Sequence, residues 1–389
     1  MKILVVGGDG YLGWPTAMYL ANRDHEVTVV DNFHRRLWDL EIGASSLVPI
    51  LSLQDRVDLW ERISNKPIGV EVGDVTDYPF VEHVFKKYDP EAIIHYGEHR
   101  SAPFSMLSRH HAVLTQVNNI VGTMNILFAM HDISPDSHLV KLGTMGEYGT
   151  PNIDIEEGFL EINHNGRSDL MPYPKQPASF YHLSKVHDSH NIMFVCRAWG
   201  LRSTDLNQGV VYGVHTDETA LDAGLATRLD YDDVWGTVLN RYCVQAAIDH
   251  PLTVYGKGGQ TRGFLDIRDT LRCIELATIH PAEAGEYRVF NQFTEQFTVL
   301  ELAHKVADAA TKLGWAPMIE NVHNPRVEAE EHYYNAKHTK LLDLGLEPHL
   351  LSETLIDHLL ETVQEHSSEV NRRLLYPTHS WKAGRLSGG

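Results

Sequence analysis

The sequence predicts an α/β protein in which a doubly wound parallel sheet carries a smaller C-terminal lobe. Short runs rich in β-branched residues alternate with longer amphipathic stretches in the first half of the chain, which is typical of strand–helix units. A glycine-rich turn follows the first run, and the alternation becomes sparse in the second half. With 389 residues, the chain is long enough for two lobes around a large core.

Six short runs are predicted as strands of this sheet. They are Lys2–Val6, Glu26–Asp31, 69–72, Ala92–His95, 138–142 and 202–206. Amphipathic stretches separate them, and we predict helices over 12–23 and 113–130. The smaller lobe is expected to draw on segments near 216–260 and 295–376.

The composition indicates which classes of partner the protein can bind and in which cellular compartment we expect it. A formal net charge of −19 disfavours a nucleic-acid partner, since nucleic acids are polyanions. The chain lacks an uninterrupted apolar run of the length (about 18 residues) that spans a bilayer, so we expect no membrane insertion. The first strand begins at Lys2, which leaves no room for a leader peptide, and the three cysteines show no pairing pattern. Both observations favour a cytoplasmic location.

The 24 histidines raise the question of a metal site. His187 and His190 have helical spacing, and His110 and His111 are adjacent. Neither pair forms a known metal-binding pattern. We therefore predict no metal, and ordinary polar contacts for these side chains.

The turn after the first strand carries Gly7, Gly10 and Gly13 in a G-x-x-G-x-x-G pattern, and a predicted helix follows. Glycines here allow a tight turn, close approach of the backbone to a pyrophosphate, and close packing of helix on strand. The helix N-terminus adds amide donors and partial positive charge. This context predicts a dinucleotide-binding Rossmann domain, with a glycine turn that binds no ligand as the alternative.

The end of the second strand indicates which dinucleotide binds. Asp31 stands where an acid accepts hydrogen bonds from the adenosine ribose, which favours NAD over NADP. Arg35 and Arg36 could instead bind a 2′-phosphate, but Asp31 would repel it, so we predict NAD. Residues 1–206 would then mainly form the NAD-binding domain, 207–376 mainly the substrate lobe with segments that return to the first domain, and 377–389 a loose tail.

Two later turns fit the same cofactor site. Asp74 follows the third strand, where its carboxylate could accept from the adenine amino group or could cap a helix instead. The segment 97–100 follows the fourth strand, at the edge where ligands of this fold bind. The set predicted to contact the cofactor is Gly7, Asp9, Gly10, Tyr11, Gly13, Asp31, Asn32, Arg35, Arg36, Asp74, Val75, Arg100, Asn118, Tyr181, Lys185 and Val211.

Tyr181 and Lys185 form a Y-x-x-x-K motif, and residues four apart share one face of a helix. A phenol that acts as a base near neutral pH needs its pKa lowered by about 3 units, or roughly 4 kcal/mol. One cation at about 4 Å supplies roughly that at an effective dielectric of 20. The motif therefore predicts a base for hydride transfer at a sugar carbon, and an exposed helix pair is the alternative.

A second catalytic segment follows the strand predicted over 138–142. Thr144 can hydrogen-bond the reacting hydroxyl or the phenolate of Tyr181. Glu147 is either an acid or base near the pocket or an ordinary loop carboxylate.

Together, the glycine turn, Asp31, Thr144 and the Tyr181/Lys185 pair resemble the extended short-chain dehydrogenase/reductase family of sugar-nucleotide enzymes. Longer strings resemble the branch of that family that makes UDP-sulfoquinovose from UDP-glucose and sulfite. They are DGY at 9–11, DNFHRRL at 31–37, GEHRSAP at 97–103, KLGTMGEYG at 141–149, SFYHLSKVHD at 179–188, DLNQGVVYG at 205–213 and NPRVE at 324–328. The resemblance spans roughly residues 1–350.

The resemblance implies a reaction with tightly held NAD. Tyr181 would remove the proton of the 4-hydroxyl while hydride leaves C4. The 4-ketone would make the C5 proton acidic, so that loss of this proton and of the 6-hydroxyl gives a 5,6-ene. Sulfite would add at C6 before the hydride returns to C4 in a sealed pocket. Members of the family commonly pair through helices such as those around 113–130 and 181–199, which implies a homodimer.

The chain departs from related 4,6-dehydratases at one triplet. Those enzymes place Thr-Asp-Glu where this chain has Thr144-Met145-Gly146, so the two carboxylates that serve water elimination are missing. The resemblance leaves His182 and Glu147 as candidates for moving protons at C5 and C6. His99 and Arg100 are the candidates for binding sulfite.

The resemblance also implies a site for the nucleotide half of the substrate. Segments 253–256 and 260–262 match the family pattern that holds a uracil and a diphosphate. Arg262 and Arg326 can each donate two charge-assisted hydrogen bonds to phosphate, with surface ion pairs as the alternative. The set predicted to contact substrate is Arg100, Thr144, Gln208, Thr253, Tyr255, Gln260, Arg262 and Arg326.

Two other functions remain open at this point. Another UDP-sugar 4-epimerase or dehydratase would need the same Tyr181, Lys185 and NAD but no sulfite site. A non-catalytic NAD sensor would use the fold alone, although such proteins usually lose the tyrosine or the lysine. The sequence does not say whether a partner protein delivers sulfite.

Overall fold

The structure is a computed structural model that describes residues 1–326, 332–351, 353–377, 379–381 and 384–385. The tail predicted over 377–389 therefore lies partly outside the described residues, as do the last two residues of the string at 324–328.

Strands and helices alternate through the first half of the chain, as expected for a parallel sheet. The strands are β1 (Lys2–Val6), β2 (Glu26–Asp31), β3 (Ile68–Val72), β4 (Ala92–His95), β5 (His138–Thr144), β6 (Phe159–His164), β7 (Arg167–Pro172), β8 (Arg202–Gln208), β9 (Val210–Tyr212), β10 (Leu252–Tyr255), β11 (Thr261–Asp266), β12 (Tyr287–Gln292), β13 (Glu295–Thr298), β14 (Ile319–Val322), β15 (His379–Ser380) and β16 (Gly384–Arg385). The helices are α1 (Gly13–Asn22), α2 (His34–Ile42), α3 (Leu53–Ser64), α4 (Tyr78–Tyr88), α5 (Ala102–Ser105), α6 (Arg109–Gln116), α7 (Gly122–Asp132), α8 (Phe180–Trp199), α9 (Val238–Ala247), α10 (Ile267–Ile279), α11 (Val299–Lys312), α12 (Lys340–Asp343) and α13 (Glu353–Glu365).

The central sheet has seven strands in the order β12-β8-β5-β4-β1-β2-β3, and every neighbouring pair is parallel. The chain moves outward from β1 to β3 and then returns to the other side of β1 with β4. The strand order therefore reverses between β1 and β4, and ligands of such sheets bind at the carboxyl edge beside this point.

The predicted doubly wound parallel sheet is confirmed, and all six predicted strands belong to it. Strand β3 begins one residue earlier than predicted, at Ile68, and β5 and β8 each run two residues further. The sequence did not predict β12. It is an edge strand from the second half of the chain, where strand–helix alternation is sparse, and it pairs with β8 across a long sequence separation.

Alternating side chains of β1 point into two different cores, one on each face of the sheet. Ile3 and Val5 pack in a cluster with Trp14 of α1, whereas Leu4 and Val6 pack in a cluster with Met130 of α7. Burial of both faces explains why the strands are continuous β-branched runs with no polar alternation.

The smaller lobe has a core of its own, built largely by α9, α11 and α13. Leu239, Leu302 and Leu360 from these helices are fully buried in it. Strands β10 and β14 pair beside the helices, and a sheet of β13, β11 and β9 leads back towards the first lobe. There Val211 and Leu265 pack against Leu12 of the glycine turn.

The helix predicted over 113–130 is one continuous run from α6 to α7 through a π-helical turn at Val117–Val121. By length and composition alone, Arg109–Asp132 could cross a membrane, with a mean hydropathy of 1.2. Half of it is buried inside the fold, where it packs beside α4 and α8. Its other face exposes apolar side chains that include Val117 and Phe128.

Candidate active site

A cavity of about 330 Å³ opens at the carboxyl edge of the sheet, beside the reversal of strand order. Its wall is formed by the glycine turn, the ends of β2 to β5, β8 and β9, the start of α8, and the segment 228–237 of the smaller lobe. The cavity therefore lies between the two lobes at the position where the topology predicts a ligand.

The three glycines of the turn line the cavity at positions where a side chain would not fit. Gly7 has a φ of +91°, and a Cβ on it would lie 2.7 Å from the carbonyl carbon of Tyr96. A Cβ on Gly13 would lie 2.0 Å from the carbonyl oxygen of Gly7, and one on Gly10 would lie 3.2 Å from the same oxygen. Leu12 at the N-cap of α1 has no side-chain acceptor for the first amides. This cradle fits a dinucleotide pyrophosphate.

Asp31 lines the cavity next to the glycine turn. Its Oδ1 accepts a hydrogen bond from the amide of Phe33 at 2.7 Å, and its Oδ2 accepts one from the amide of Asp9 at 2.9 Å. Burial raises the pKa of Asp31, while these two amides act in the opposite direction. The carboxylate is thus fixed in position at the cavity wall, as a ribose acceptor has to be.

Asp9 lies behind the wall and joins the turn to two helices. Its carboxylate accepts two hydrogen bonds from Arg36 of α2, at 2.7 and 2.8 Å, and one from Arg56 of α3 at 2.6 Å. Asp9 and Arg56 are buried. Arg36 is therefore engaged by a carboxylate on the protein, which weighs against its use for a 2′-phosphate.

Three arginines of the wall surround one carboxylate. Arg35, Arg100 and Arg228 line the cavity, and each forms an ion pair with Asp230. Burial would raise the pKa of Asp230, but the three guanidinium groups hold it at about 2. Arg35 also pairs with Asp39, so neither arginine of the NADP alternative is left without a carboxylate partner.

The remaining predicted cofactor residues occupy the same side of the cavity. Tyr11, Asn32, Val75, Asn118 and Val211 line it.

Asp74 lies behind Asn32 and accepts a hydrogen bond from its Nδ2 at 3.0 Å. The alternative role of Asp74 as a helix cap is wrong, because α4 begins at Tyr78 and Asp77 occupies the N-cap position. The local Gly-Asp pattern fits a turn as well as a cap, so the sequence could not separate the two.

Tyr181 and Lys185 lie in the first turns of α8, which Ser179 caps, and both line the cavity. Lys185 Nζ lies 5.8 Å from the ring centroid of Tyr181 and donates to the carbonyl of Leu142 at 2.7 Å. It also forms an ion pair with Glu98. Burial raises the pKa of Tyr181; Lys185 lowers it, and Glu98 raises it again.

Thr144 ends β5 at the wall of the cavity, and its Oγ1 accepts a hydrogen bond from the amide of Gly146 at 3.1 Å. A Cβ on Gly146 would lie only 2.3 Å from Nε2 of His182. The His182 ring lines the cavity, with its centroid 5.1 Å from that of Tyr181. The imidazole thus fills the space that a side chain at position 146 would take.

Glu147 lies in the layer beneath the cavity and is fully buried. Its carboxylate forms ion pairs with Lys175 and Lys141 and accepts a hydrogen bond from Ser189 at 3.1 Å. Burial would raise the pKa of Glu147, but the two lysines lower it. Its Oε1 also accepts from the amide of Thr144 at 3.4 Å, so it supports the cavity wall from below.

The predicted substrate residues are divided between the cavity and the interior of the smaller lobe. Gln208 lines the cavity. Thr253 and Gln260 are buried: Thr253 accepts from Gln245 at 2.7 Å, and Gln260 donates to the carbonyl of Tyr255 at 3.3 Å. Both side chains are therefore engaged inside their own lobe.

Tyr255, Arg262 and Arg326 lie in the smaller lobe, away from the cavity wall. The Tyr255 ring packs under Arg241, whose guanidinium carbon is 4.6 Å from the ring centroid. Arg262 donates to the carbonyl of Thr261 at 2.8 Å. The guanidinium carbon of Arg326 lies 5.7 Å from the ring of Trp381.

The surroundings of His99 do not favour its predicted role in binding sulfite. It is buried in an aromatic cluster, with its ring centroid 4.3 Å from Phe104, 4.7 Å from Trp38 and 5.3 Å from Trp235. Burial, helped by nearby arginines, lowers its pKa well below the usual value, so the ring is neutral.

Within the part of the chain that the structure describes, no group of three or more His, Cys, Asp or Glu side chains is arranged to hold a metal ion.

The residues of the wall that were not singled out in the sequence include Glu98, Arg228, Trp235 and Thr237. Thr237 caps α9 by accepting from the amide of Asn240, so this helix begins at the cavity. A Thr before an apolar helix is a recognisable cap pattern, but its position beside the cavity depends on tertiary contacts. Glu98 belongs to the GEHR string, but only its two basic neighbours in that string were predicted to bind an anion.

Comparisons with known proteins agree with this geometry. A profile of the group described as the NAD dependent epimerase/dehydratase family matches residues 3–291. A chloroplastic UDP-sulfoquinovose synthase from Spinacia oleracea is 59% identical over 381 residues, which cover 98% of this chain and 79% of the relative. A UDP-sulfoquinovose synthase from Sulfolobus acidocaldarius is 42% identical over 385 residues, which cover 98% of each chain.

Solved structures with a similar fold include a UDP-glucose 4-epimerase from Thermotoga maritima with UDP-glucose, at a TM-score of 0.71 and 19% identity over 94% of this chain and 99% of that one. A UDP-glucose 4-epimerase from Bifidobacterium longum with NAD⁺ and UDP has a TM-score of 0.67 and 20% identity over 97% and 100% of the two chains. At these identities the likeness concerns the fold.

The arginine cluster gives a test of stability against pH. Replacing Asp230 with Asn leaves three guanidinium groups without their shared carboxylate and should cost roughly 3 kcal/mol of unfolding free energy or more at neutral pH. Because the folded state lowers the pKa of Asp230 from 3.8 to about 2, its contribution is present above the higher value and is lost as the pH falls through the lower one. Urea unfolding at several pH values measures the difference between the two proteins, which should shrink below about pH 4.

The control is Asp136→Asn, which removes a fully exposed carboxylate beside Arg202 and should leave the unfolding free energy unchanged. An Asp230→Asn protein as stable as the unmodified chain at pH 7 would contradict the assignment of Asp230 as the shared counter-charge.

Proposed function

The chain belongs to the NAD dependent epimerase/dehydratase family, and on this basis we propose that it makes UDP-sulfoquinovose from UDP-glucose and sulfite. Two relatives named for that reaction and aligned over almost the whole chain support the proposal. In the structure, the proposal rests on one observation. Tyr181, Lys185, Thr144 and His182 meet at one cavity, and His182 occupies the space beside Gly146.

NAD is the cofactor of the family, and the residues at the glycine turn fit it. Gly7, Gly10 and Gly13 would hold its pyrophosphate, and Asp31 would accept from its adenosine ribose. When bound, NAD takes up the hydride from C4 of the sugar and gives it back at the end of the cycle.

The first step is the oxidation at C4. Tyr181 takes the proton of the 4-hydroxyl, and Lys185 stabilises the phenolate by its charge. The hydroxyl of Thr144 can donate to the same sugar oxygen. Burial of the tyrosine makes this help necessary, since burial alone disfavours the charged form.

The second step exchanges the 6-hydroxyl for sulfite. The ketone at C4 acidifies the C5 proton; His182 accepts this proton and passes it to the departing 6-hydroxyl, which leaves as water. Sulfite, which enters as hydrogensulfite, then forms the C6–S bond, and its proton passes to C5 through His182. His182 is our candidate for this transfer because it lines the cavity beside Tyr181 and takes the space that Gly146 leaves open.

Arginines of the cavity wall can bind the anionic groups of the substrates. Among the described residues, the ion pairs of Arg35, Arg100 and Arg228 are formed with two carboxylates, those of Asp39 and Asp230, so three guanidinium groups share two partners. We propose that Arg100, the partly exposed member, binds sulfite or the new sulfonate. The smaller lobe would bind the UDP half through Tyr255, Arg262 and Arg326.

We also propose a homodimer and a cytoplasmic location. The outer faces of the α6–α7 run and of α8 expose apolar side chains, among them Val117, Phe128 and Phe194, which a second copy would cover. The three cysteines are free and buried, which suits a reducing compartment.

The proposed function is tested by mass spectrometry of the product formed from UDP-glucose and sulfite by the purified protein without added NAD. We expect UDP-sulfoquinovose, and a loss of about 10²-fold or more for Tyr181→Phe, which keeps the ring but removes the base. Chromatography before the mass spectrometer separates UDP-glucose from its C4 epimer, which has the same mass, and formation of that epimer regardless of sulfite would show an epimerase instead. Tight binding of NAD and UDP-glucose with no turnover would show a sensor.

The packing of His182 against Gly146 gives a second prediction. Gly146→Ala places a methyl group where the imidazole lies, so it should impair the elimination step about as much as His182→Ala, by roughly 10²-fold or more, while NAD remains bound. Exchange of the C5 proton for deuterium measures this step. The double variant should be no worse than either single one, because both act on one imidazole. Additive losses would contradict a shared cause.

The nucleotide half is tested at Arg326. Loss of charge-assisted hydrogen bonds to phosphate should raise the KM for UDP-glucose by roughly 10-fold or more in Arg326→Ala, with NAD affinity unchanged. Arg373→Ala, an exposed arginine of the same lobe, is the control and should leave KM unaltered. Equal losses of substrate and cofactor binding in Arg326→Ala would indicate a folding defect and contradict the assignment.

A further inference from the structure

A layer of buried charged side chains lies beneath the cavity, between α8 and the carboxyl ends of β4, β5 and β8. Lys185 pairs with Glu98, which follows β4, and Glu98 itself lines the cavity. Asp188, three residues after Lys185 on α8, faces the same Glu98 from inside the fold. Neither carboxyl group has an obvious place in the reaction described above.

The groups of this layer can be counted. The ammonium groups are those of Lys141, Lys175 and Lys185, and the carboxyl groups are those of Glu98, Glu147, Asp188 and Asp205. Each of these side chains is at most 8% exposed. Three positive groups against four carboxyls leave the layer neutral if one carboxyl is protonated, and unpaired buried charge is costly.

Asp188 is the carboxyl of this layer whose surroundings most favour the protonated form. It is fully buried, and burial, followed by the charge of Glu98, raises its pKa well above the usual value. Burial would also raise the pKa of Glu98, but Lys185 outweighs it, so Glu98 stays ionised. A protonated Asp188 can donate to Glu98, which gives both groups a buried partner.

We propose that Glu98 is a positioning residue for the oxidation at C4: it holds the Lys185 ammonium beside Tyr181 and offsets part of its charge, while Asp188 keeps the proton that balances the layer. The inference rests on the proposed function for the identity of the step. Its physical content, the pH at which Tyr181 ionises, can be measured without any turnover.

The other titratable groups that face this pair limit what can compensate for a change. Lys185, Glu98 and Asp188 are faced by His95 of β4, by Lys141 of β5 and by His99, and Tyr181 is also faced by Glu147 and by the ring of His182. Lys175 and Asp205 of β8 lie behind them, against Glu147 and Lys141. Burial lowers the pKa of His95 to about 4, so this ring is neutral near pH 7 and cannot replace Glu98. Asp188 is the carboxyl placed to ionise when Glu98 loses its charge.

The test compares Glu98→Gln with the double variant Glu98→Gln/Asp188→Asn. Tyr181 is titrated by the ultraviolet absorbance of tyrosinate, as the difference between each protein and the same protein with Tyr181→Phe. In the double variant neither Glu98 nor Asp188 offsets the charge of Lys185, so the ionisation of Tyr181 should shift to lower pH by about one to two units. The single variant should shift less, because Asp188 can take over the negative charge.

In the holoenzyme, the acid limb of the pH profile of kcat should also shift to lower pH. Replacing a residue that only supports the fold would not shift this limb. Glu82→Gln, which alters an exposed ion pair with Lys86, is the control and should leave the Tyr181 titration in place. A double variant that titrates like the unmodified protein would overturn the proposal, even if the enzyme makes the expected product.

A second measurement does not depend on the double variant folding. The infrared spectrum of the unmodified holoenzyme minus that of Asp188→Asn should contain the carbonyl band of a protonated carboxylic acid at neutral pH. Asn keeps a donor for Glu98, so the comparison changes little else. A difference spectrum with only a carboxylate band would show that Asp188 is ionised and would overturn the charge balance on which the proposal stands.

Discussion

Charge balance around the fully buried ammonium of Lys141 is the constraint on which the active-site region depends. Lys141 of β5 stands opposite Asp205 of β8 in the parallel register, with 3.6 Å between Nζ and a carboxylate oxygen. An ammonium without such partners would cost several kcal/mol in this environment. A shift in the register of these strands would separate the pair, so their electrostatics and their apolar packing favour the same alignment.

The same layer fixes α8 against the sheet. The hydroxyl of Ser189 on this helix lies 2.7 Å from Asp205 and 3.1 Å from Glu147, so it can donate its one proton to either carboxylate, and it accepts from Lys141 at 3.4 Å. It lies one helical turn after Lys185, so the hydrogen bonds that anchor the helix also fix the position of Lys185 relative to β5. At the rim, Arg35 of the first lobe and Asp230 of the second form a comparable pair that ties the lobes together across the cavity.

How far the site could be predicted depends on how local its interactions are. The glycine turn and the Tyr181/Lys185 pair follow from spacing within a few residues, and six strands of the sheet follow from short β-branched runs. The Lys185–Glu98 pair joins residues 87 apart, and the contact of His182 with Gly146 also depends on tertiary packing. No periodicity specifies such partners. Strand β12 was missed for a related reason, since it lies in the second half of the chain, where strand–helix alternation is sparse, and joins the sheet by pairing with the distant β8.

The contrast between Glu147 and His182 bears on which group moves protons at C5 and C6. A group that carries protons during turnover must reach the substrate and must be stable in both protonation states. Glu147 is buried between two lysines that lower its pKa, so protonating it would remove the carboxylate that pairs with Lys175 and one of the two carboxylates that face Lys141. His182 borders the cavity next to Tyr181. The loss of both dehydratase carboxylates from the triplet Thr144-Met145-Gly146 therefore has a structural counterpart: the glycine makes room for an imidazole, and the nearby glutamate serves the charge balance below it.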